Sequence, residues 1–234
     1  MGSRSFHQWQ WQSLRFRSPV WAMLDPIGDG PMDFVHFDRC DASIVKSIKQ
    51  RDLLYTWLRI QNRTAGLPQI EDLQPARLEE ELPELMFYDV VRENEAPRFL
   101  IVKDGARLVS SFGFSGKGKF LDDTIDARLW AFTKPIYFEC VARRLPVYSA
   151  FMAHDLQGRP VFYERLLLPF GSEGGVRQMI ASLKSICWDG GFENKDLMRP
   201  QGNDPVCVTR AIIDATAPAR PPKSAQVADD VMEI

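Results

Sequence analysis

The first patterned stretch of the chain has apolar residues at helical spacing. Its recurring apolar positions are Ile44, Ile48, Tyr55 and Leu58. This spacing places the four side chains on one face of a helix. Asp41 and Ser43 can cap the helix at its start, and Gly66 and Pro68 follow its end. The pattern therefore predicts a helix over residues 43–63.

Prolines bracket a second, shorter helix. Pro75 suits the first helical turn, where no amide hydrogen is needed, and Pro83 disfavours helix in the residue before it. These two positions predict a helix over residues 76–82. The chain then becomes apolar and aromatic over 85–91 and again over 99–102, with a turn between the two runs. The pair of runs predicts a β-hairpin.

The middle of the chain combines a glycine-rich part with a return to helical spacing. Four glycines between residues 104 and 121 favour short helical turns and loops. Helical spacing returns over 122–145, where Pro135 is expected to kink or split the helix. Three later apolar runs predict strands at 147–153, at 161–168 before Pro169, and at 176–186. The last run also fits a helix, although a strand is favoured.

The order of these elements indicates the fold class. Two helices come first, followed by a hairpin, a helical middle and three strands. Hairpins on both sides of a helical middle predict an α+β protein with a mainly antiparallel sheet and helices over one face.

Composition separates the ends of the chain from its middle. Residues 18–33 are rich in proline and glycine, and alanine and proline dominate from Ala215 onward, as in linkers and flexible tails. We therefore predict a disordered or linker extension at 1–33 and an N-terminal helical segment at 34–84. The domain with most of the predicted strands follows at 85–187, and a C-terminal extension with a flexible tail at 188–234. Alternatively, the three tryptophans of the first segment contact a membrane or a partner.

Charge and composition narrow the class of protein. The 234 residues are 45% hydrophobic and 26% charged, as in ordinary globular proteins. The formal net charge of -2 provides no positive field that would recruit nucleic acid or an anionic membrane. No apolar run is long enough for a transmembrane helix, and the four cysteines lie far apart in the sequence. We therefore expect a cytoplasmic protein with free thiols that does not bind nucleic acid.

An ordered series of short motifs runs through residues 50–187. The series comprises Trp57 and Arg59, Pro68, Asp72-Leu73, Pro75, Leu82-Pro83, Phe87-Tyr88-Asp89-Val90, Phe99, Gly105, Gly116, Pro146-Val147-Tyr148-Ser149, Gly158-Arg159 and Tyr163-Glu164-Arg165-Leu166-Leu167-Leu168-Pro169. In this order and with these gaps, the chain resembles the single-domain PAS family found widely in alphaproteobacteria.

The resemblance implies that residues 85–187 form a PAS-like domain. This domain has a five-stranded antiparallel sheet with a pocket covered by helices, and an N-terminal helix precedes it. It implies sensing or dimer contact and supplies no catalytic residues. The chain departs from the family at 101–105, where the family often reads Leu-Val-Gly-Thr, and at Lys117 and Lys119. These departures lie in the expected pocket wall, so the resemblance does not name a ligand.

Motifs for catalysis or metal binding are weak. The glycines and lysines of 113–119 can hold an anion, but they lack Walker spacing, so an exposed turn is favoured. Ser149 has no nucleophile elbow, and no histidine pair has metal-ligand spacing. Cys140 and His154 are disfavoured as haem ligands. We therefore predict no catalytic residues and no metal site, and the cofactor stays unknown.

Aromatic residues concentrate where a PAS fold keeps its ligand. The predicted pocket residues are Phe99, Phe112, Trp130, Tyr148, Tyr163 and Arg165. A pocket of this kind is apolar with a few polar contacts, which here come from the two tyrosines and the arginine. Side chains alternate along a strand, so Glu164 and Arg165 should point to opposite faces of the sheet. Arg165 can instead have a structural role by pairing with an acid across the sheet.

Three functions agree with these observations. The favoured one is a regulatory PAS-type module that binds a small apolar or aromatic ligand, or a signalling protein partner, with no output domain on this chain. The second is a structural or dimerisation protein whose PAS-like core is filled. The third is a small-molecule enzyme on an α+β scaffold. The helix at 43–63 has more apolar residues than one stripe needs, which predicts a homodimer through that helix.

Overall fold

Alternating and β-branched runs of the sequence form a seven-stranded mixed sheet in the computed structural model. The structure describes residues 35–64, 66–73, 78–93, 96–154, 160–187 and 205–216. The strands in these ranges are β1 (Asp38–Cys40), β2 (Leu85–Glu93), β3 (Ala96–Asp104), β4 (Val147–His154), β5 (Pro160–Ser172), β6 (Gly175–Cys187) and β7 (Val206–Ile213). Their order across the sheet is β1-β7-β4-β5-β6-β2-β3.

Five α-helices occur in the same described ranges. They are α1 (Ile48–Gln61), α2 (Leu78–Glu81), α3 (Ala106–Phe112), α4 (Leu121–Thr124) and α5 (Ala127–Arg143). Three short 3-10 turns, Ala42–Ile44, Ile70–Asp72 and Leu82–Glu84, accompany the first two helices. Within the described residues, no helix has the length and apolar character needed to span a membrane.

Five of the seven strands, from β4 to the edge strand β3, follow the pattern predicted from the sequence. The β2–β3 hairpin is confirmed, and so is the strand interpretation of β6. β4, β5 and β6 pair in succession, and β6 also pairs with β2, always antiparallel. The five strands therefore form one continuous antiparallel array, β4-β5-β6-β2-β3.

The expected total of five strands is wrong, because β7 and β1 extend the sheet beyond β4. β7 pairs antiparallel with β4, and β1 pairs parallel with β7, which makes the sheet mixed. A three-residue strand such as β1 is too short to show a period. The segment that forms β7 lies in the sequence close to the proline-rich tail, and it was predicted to be part of the C-terminal extension.

Pro169 does not end β5, contrary to the prediction. The strand continues to Ser172, and Pro169 is paired with Met179 of β6. β4 pairs with β5 only as far as Leu167. Among the described residues, β5 beyond Leu167 is paired on one side only, and the Pro169 carbonyl accepts a hydrogen bond from the Trp57 indole. The nitrogen and the carbonyl of one strand residue point to the same side, so the missing amide hydrogen of proline removes no ladder hydrogen bond.

Two residues near the start of α1 act as separate caps. Asp41 accepts a hydrogen bond from the Ser43 amide at 3.1 Å and caps the first 3-10 turn. Ser47 then caps α1 itself, because its hydroxyl accepts from the Gln50 amide at 3.3 Å. The α-helix therefore begins at Ile48, five residues later than the predicted start at residue 43.

The four residues predicted to share one face of the helix differ in burial. Ile48 and Tyr55 are 75% and 51% exposed, whereas Leu58 is buried. Leu53, Leu54 and Trp57 are buried as well. α1 carries apolar residues on more than one side, and the side that includes the large indole is the one packed on the sheet, because it removes more apolar surface from water.

The middle helices also differ in detail from the prediction. The predicted helix at 122–145 is divided into α4 and α5, and the break lies at Ile125, whose backbone is extended. Asp126 caps α5 by accepting from the Arg128 amide at 2.9 Å. α5 then runs through Pro135 without interruption. The predicted division therefore occurs at a cap and not at the proline.

Helices pack against both faces of the sheet, so the expectation of helices over one face is wrong. On β5, the guanidinium carbon of Arg165 lies 5.6 Å from the ring centre of Tyr137 in α5. On the other face, Phe162 of β5 lies 6.0 Å from the ammonium of Lys46, which directly precedes α1. We call these two surfaces the α5 face and the α1 face.

Trp57 provides a test of how α1 is attached. Its side chain is fully buried, and its indole nitrogen donates to the Pro169 carbonyl at 2.8 Å. We expect Trp57→Phe to lower the free energy of unfolding by about 1 kcal/mol through loss of that hydrogen bond, and Trp57→Ala by about 3–5 kcal/mol. Urea titration followed by circular dichroism measures both changes.

The control substitution for Trp57 is Asp52→Ala, at an exposed position of the same helix. It should change the free energy of unfolding by less than about 0.5 kcal/mol. Equal effects of Asp52→Ala and Trp57→Ala would contradict the placement of α1.

Candidate functional site

A cluster of aromatic rings fills the space between α5 and the β2–β3 hairpin. We define this aromatic cluster as Tyr88, Phe99, Trp130, Tyr137 and Phe138. The ring centres of Tyr88 and Phe99 lie 5.6 Å and 5.0 Å from that of Tyr137, in edge-to-face arrangements. Such contacts add to the stability gained by burying the rings. The centre of the cluster is therefore packed protein.

The hydroxyl groups of Tyr88 and Tyr137 meet inside the aromatic cluster. The two oxygens are 3.0 Å apart and share a hydrogen bond. Burial is the main cause that raises the pKa of both tyrosines, and the nearby positive charge of Arg165 opposes the shift. Both phenols are therefore neutral, and each satisfies part of the other's hydrogen-bonding capacity.

Three polar side chains form a row across the sheet beside the aromatic cluster. Ser149 of β4 is the cross-strand partner of Arg165 on β5 and of Arg210 on β7. Directly paired residues share a face of the sheet, so all three lie on the α5 face. We call Ser149, Arg165 and Arg210 the arginine–serine row.

The arginine–serine row contains buried polar atoms that lack hydrogen bonds. Among the residues that the structure describes, the Ser149 hydroxyl, Nε and Nη1 of Arg165, and Nε of Arg210 have no partner. Ser149 is fully buried, and both arginines are half-buried. Buried polar groups are nearly always hydrogen-bonded in native proteins, so this concentration of donors requires an explanation.

Each arginine of the row lies over an aromatic ring. The guanidinium carbon of Arg165 is 5.6 Å from the ring centre of Tyr137, and that of Arg210 is 5.8 Å from the ring centre of Phe151. Because Tyr137 belongs to the aromatic cluster, the row and the cluster form one continuous surface. The expected acid partner of Arg165 is not the residue opposite it, since its cross-strand neighbours are Ser149 and Leu183.

The structure brings together some of the predicted pocket residues. Phe99 and Trp130 are in contact in the aromatic cluster, with ring centres 6.5 Å apart. Arg165 adjoins that cluster through Tyr137. Tyr163 lies two residues before Arg165 on β5, so it shares the α5 face, and its cross-strand partner is Phe151.

Tyr148 and Phe112 lie apart from that group. Tyr148 is paired with Leu166, the neighbour of Arg165, and therefore faces the opposite side of the sheet. Phe112 ends α3 and lines a separate, shallow cleft together with Ile101 and Leu121. The α5 face and this cleft are therefore different places.

A second set of buried polar atoms lies on the α1 face. Four of its atoms have no hydrogen-bond partner in the described part of the chain. They are the side-chain oxygen Oε1 of Gln50, the Tyr148 hydroxyl, Oε2 of Glu164 and the Ser182 hydroxyl. Burial is the main cause that raises the pKa of Glu164, and the neighbouring Tyr148, the Ser47 amide and the charge of Lys46 oppose that rise. This set contains its own carboxylate and no unpaired cation.

Lys184 is the cross-strand partner of Glu164 on the α1 face, but its ammonium is held elsewhere. It forms ion pairs with Glu81, at 2.7 Å, and with Glu84. Burial lowers the pKa of Lys184, while the bond to Glu81 opposes that change. A paired lysine of this kind is a structural attachment of the 78–84 segment to the sheet.

The glycine-rich loop at 113–119 binds a carboxylate of the protein itself. Asp104 accepts hydrogen bonds from the Ser115 hydroxyl at 2.8 Å and from the Gly116 amide at 2.7 Å. Gly113 ends α3 in a left-handed conformation. The groups that would hold a phosphate are therefore used to close a turn.

Neither a reactive cysteine nor a metal cluster is present in the part of the chain that is described. Cys140 is fully buried in α5, and burial raises the pKa of its thiol well above its usual range. The described residues contain no group of three histidine, cysteine, aspartate or glutamate side chains able to hold a metal ion.

Arg210 is not among the site residues predicted from the sequence. The residue belongs to β7, which was predicted to lie in the C-terminal extension. The signal that would have identified it is the run Val206-Cys-Val-Thr-Arg-Ala-Ile-Ile213, which is rich in β-branched residues. Without the register, the run does not show that Arg210 meets Ser149.

Comparison with known proteins gives little further information. No protein-family model matches the chain, and no curated protein matches it. Among solved structures, the light-state structure of the blue-light photoreceptor Aureochrome1 LOV matches 48% of this chain and 88% of that chain, with 10% sequence identity and a TM-score of 0.32. A likeness at this level establishes neither a shared fold nor a shared function.

Glu164 provides a test of the buried polar set on the α1 face. Because its pKa in the folded protein is raised, ionisation of the folded protein is disfavoured relative to the unfolded chain. The resulting loss of stability is complete above the pKa of Glu164 in the folded protein. It disappears below the pKa of a glutamate in the unfolded chain, about 4.3. We therefore expect the wild type to gain stability relative to Glu164→Gln as the pH falls from about 8 to about 5.

Denaturant titrations at both pH values measure this difference. Glu173→Gln, an exposed control on the β5–β6 turn, should keep the pH dependence of the wild type. A constant difference between wild type and Glu164→Gln would show that Glu164 does not experience the buried environment described.

Proposed function

We propose that this chain is a PAS-type sensory or regulatory module that binds a small ligand on the α5 face. The observation that supports the proposal best is the arrangement beneath α5, where aromatic rings adjoin a row of buried polar groups that lack partners in the described residues. Ligand sites combine apolar surface with a few directed polar groups in this way.

The strand arrangement supports the PAS part of the proposal. The antiparallel array β4-β5-β6-β2-β3 joins a hairpin to a three-stranded meander across a helical middle, as the resemblance implies. Trp57 and Pro169, two residues of the resembling motifs, contact each other through the indole hydrogen bond. The family motifs therefore include residues that attach α1 to the sheet.

A ligand beneath α5 can act as a signal. Binding shifts a protein between two states only to the extent that the ligand prefers one of them. α5 covers the aromatic cluster with Trp130, Tyr137 and Phe138, so its position depends on what lies between it and the sheet. In the proposal, a signalling protein partner in the cytoplasm reads that position.

The proposal treats the chain as a binding protein and not as an enzyme. Ser149 is buried beside two arginines, which are not general bases. The Cys140 thiol is held protonated by burial. A nucleophile needs an adjacent base or a lowered pKa, and these two candidates have neither.

Trp130→Ala tests the ligand proposal. The indole is half-buried against Phe99 and Tyr137, so its loss should lower the free energy of unfolding by about 2 kcal/mol. Native mass spectrometry of the wild-type protein should show a small molecule carried through purification, and Trp130→Ala should retain less of it.

The control for this experiment is Phe114→Ala in the cleft near α3, where the side chain is exposed. It should leave the amount of bound molecule unchanged. A wild-type mass equal to that of the bare chain, together with no thermal shift on adding candidate ligands, would contradict the binding proposal and favour a filled core.

A homodimer through α1 is a second candidate function. Ile48 and Tyr55 lie seven residues apart, about two helical turns, and so form one exposed apolar stripe on α1. In the proposal, the buried side of α1 packs on the sheet while this stripe packs on a second copy. The role would then be assembly, with the aromatic cluster as ordinary core.

Light scattering on the purified protein tests the homodimer. We expect a dimer at tens of micromolar, in the range of a weak interface, and a monomer for the double variant Ile48→Lys with Tyr55→Lys. Val206→Lys, at another exposed apolar residue on β7, is the matched control and should stay dimeric. A monomeric wild type at that concentration would refute the interface.

A further inference from the structure

We infer that the arginine–serine row binds the oxyanion group of the ligand, a carboxylate or a phosphate, and that the ligand is therefore an organic anion with an apolar body. This inference rests on the proposed ligand binding at the α5 face and specifies the chemistry of that ligand. It assigns Ser149, Arg165 and Arg210 as the anion-binding residues.

The sheet places the two arginines at a suitable separation. β5 and β7 are the two neighbours of β4, and neighbouring strands are about 4.8 Å apart. The backbones of Arg165 and Arg210 therefore lie about 10 Å apart, with Ser149 between them on the same face. Two long arginine side chains can converge over the serine hydroxyl from this distance.

The electrostatic balance of the row favours an anion. An arginine keeps its positive charge at every physiological pH, and burying a charge without a partner is costly. Nε and Nη1 of Arg165 and Nε of Arg210 are buried, and no acceptor for them exists among the described residues. An anion between the arginines would supply acceptors and compensating charge together.

The donor geometry favours an oxyanion over a simple halide. A guanidinium presents N–H groups in a planar fork that matches two oxygens of a carboxylate or a phosphate. The Ser149 hydroxyl adds a single O–H donor at the centre of the row. A neutral ligand would leave both charges uncompensated, and a cation would be repelled.

The surroundings of the row indicate the rest of the ligand. Tyr137, a member of the aromatic cluster, also contacts Arg165, with 5.6 Å between the guanidinium carbon and the ring centre. A ligand whose oxyanion meets the row therefore places its remaining atoms toward aromatic side chains. Both arginines are half-buried and so are partly open to solvent, which gives the ligand a way in.

The buried polar set on the α1 face provides a contrast within the same sheet. That set includes the Glu164 carboxylate, and the nearby ammonium of Lys184 is already paired with Glu81 and Glu84. The exposed Lys46 ammonium on this face lies close enough to Glu164 to oppose the rise of its pKa, so a carboxylate of the chain already faces that charge. The two faces of β5 therefore differ in chemistry, and the α5 face alone fits an oxyanion.

The test uses three probes with the full chain: benzoate, benzamide and inorganic phosphate. Benzamide has nearly the shape of benzoate without its charge. Thermal unfolding and titration calorimetry in low-salt buffer should show binding of benzoate, of phosphate, or of both, and at least about tenfold weaker binding of benzamide. Benzoate binding identifies a carboxylate ligand, and phosphate binding without benzoate binding identifies a phosphate.

Variants then locate the probe. Ser149→Ala, Arg165→Gln and Arg210→Gln should each weaken binding of the effective probe by about tenfold or more, and Arg165→Lys should recover part of the loss. Arg177→Gln, at an exposed arginine on β6, is the matched control and should bind like the wild type. Circular dichroism establishes that each variant is folded, and Ser149→Ala and Arg165→Lys remain informative if the glutamine variants do not fold.

The outcomes separate this inference from the proposed function. If benzamide binds as well as benzoate, or if a molecule retained through purification depends on Trp130 but not on the arginines, the oxyanion inference is overturned and the ligand proposal stands. If no probe binds and no molecule is retained, both fail. If the arginine variants lower stability equally with and without probe and leave binding unchanged, the row is structural and the inference is wrong.

Discussion

The rest of the structure depends on the alternation of side chains along β5. This strand lies between β4 and β6, and it has a helix against each of its faces. Glu164 and Arg165 are consecutive on an extended strand, so the carboxyl side chain points toward α1 and the guanidinium side chain points toward α5. α1 is fixed to the same part of the sheet, because the Gln50 side chain donates to the Ser182 carbonyl at 2.9 Å and the Trp57 indole to the Pro169 carbonyl at 2.8 Å.

Both faces of the sheet contain polar groups at positions where a simple core would be apolar. On the α1 face, the charge of Lys184 is compensated by two carboxylates of the chain, and Glu164 has a raised pKa that favours its neutral form. On the α5 face, the guanidinium groups of Arg165 and Arg210 cannot lose their charge. Burying a charged group without a partner is unfavourable on either face. On the α1 face, groups of the chain itself offset this cost, and on the α5 face the proposed ligand offsets it.

Much of the fold could be predicted from the sequence, and the parts that could not depend on register and helix phase. Alternation and turn residues predicted the β2–β3 hairpin and the strands β4, β5 and β6. The site was only partly predictable: Arg165 and Trp130 lie at the α5 face, but Tyr148 faces α1, because a shift of one residue moves a side chain to the other face. Arg210 was missed, since no local pattern shows that β7 pairs with β4.

A short structural path connects the two faces. Arg165 belongs to the arginine–serine row and contacts Tyr137, and Tyr137 shares its hydroxyl hydrogen bond with Tyr88 on β2. The residue before Arg165 is Glu164, whose backbone carbonyl lies 3.4 Å from the Gln50 side-chain nitrogen of α1. A displacement of β5 at Arg165 would therefore alter the contact of Arg165 with the Tyr137 ring of α5, and it would also alter the hydrogen bond from Gln50 of α1. Packed elements move as units and not as isolated side chains. Under the proposed function, β5 therefore connects the ligand site on the α5 face with α1 and its exposed apolar stripe.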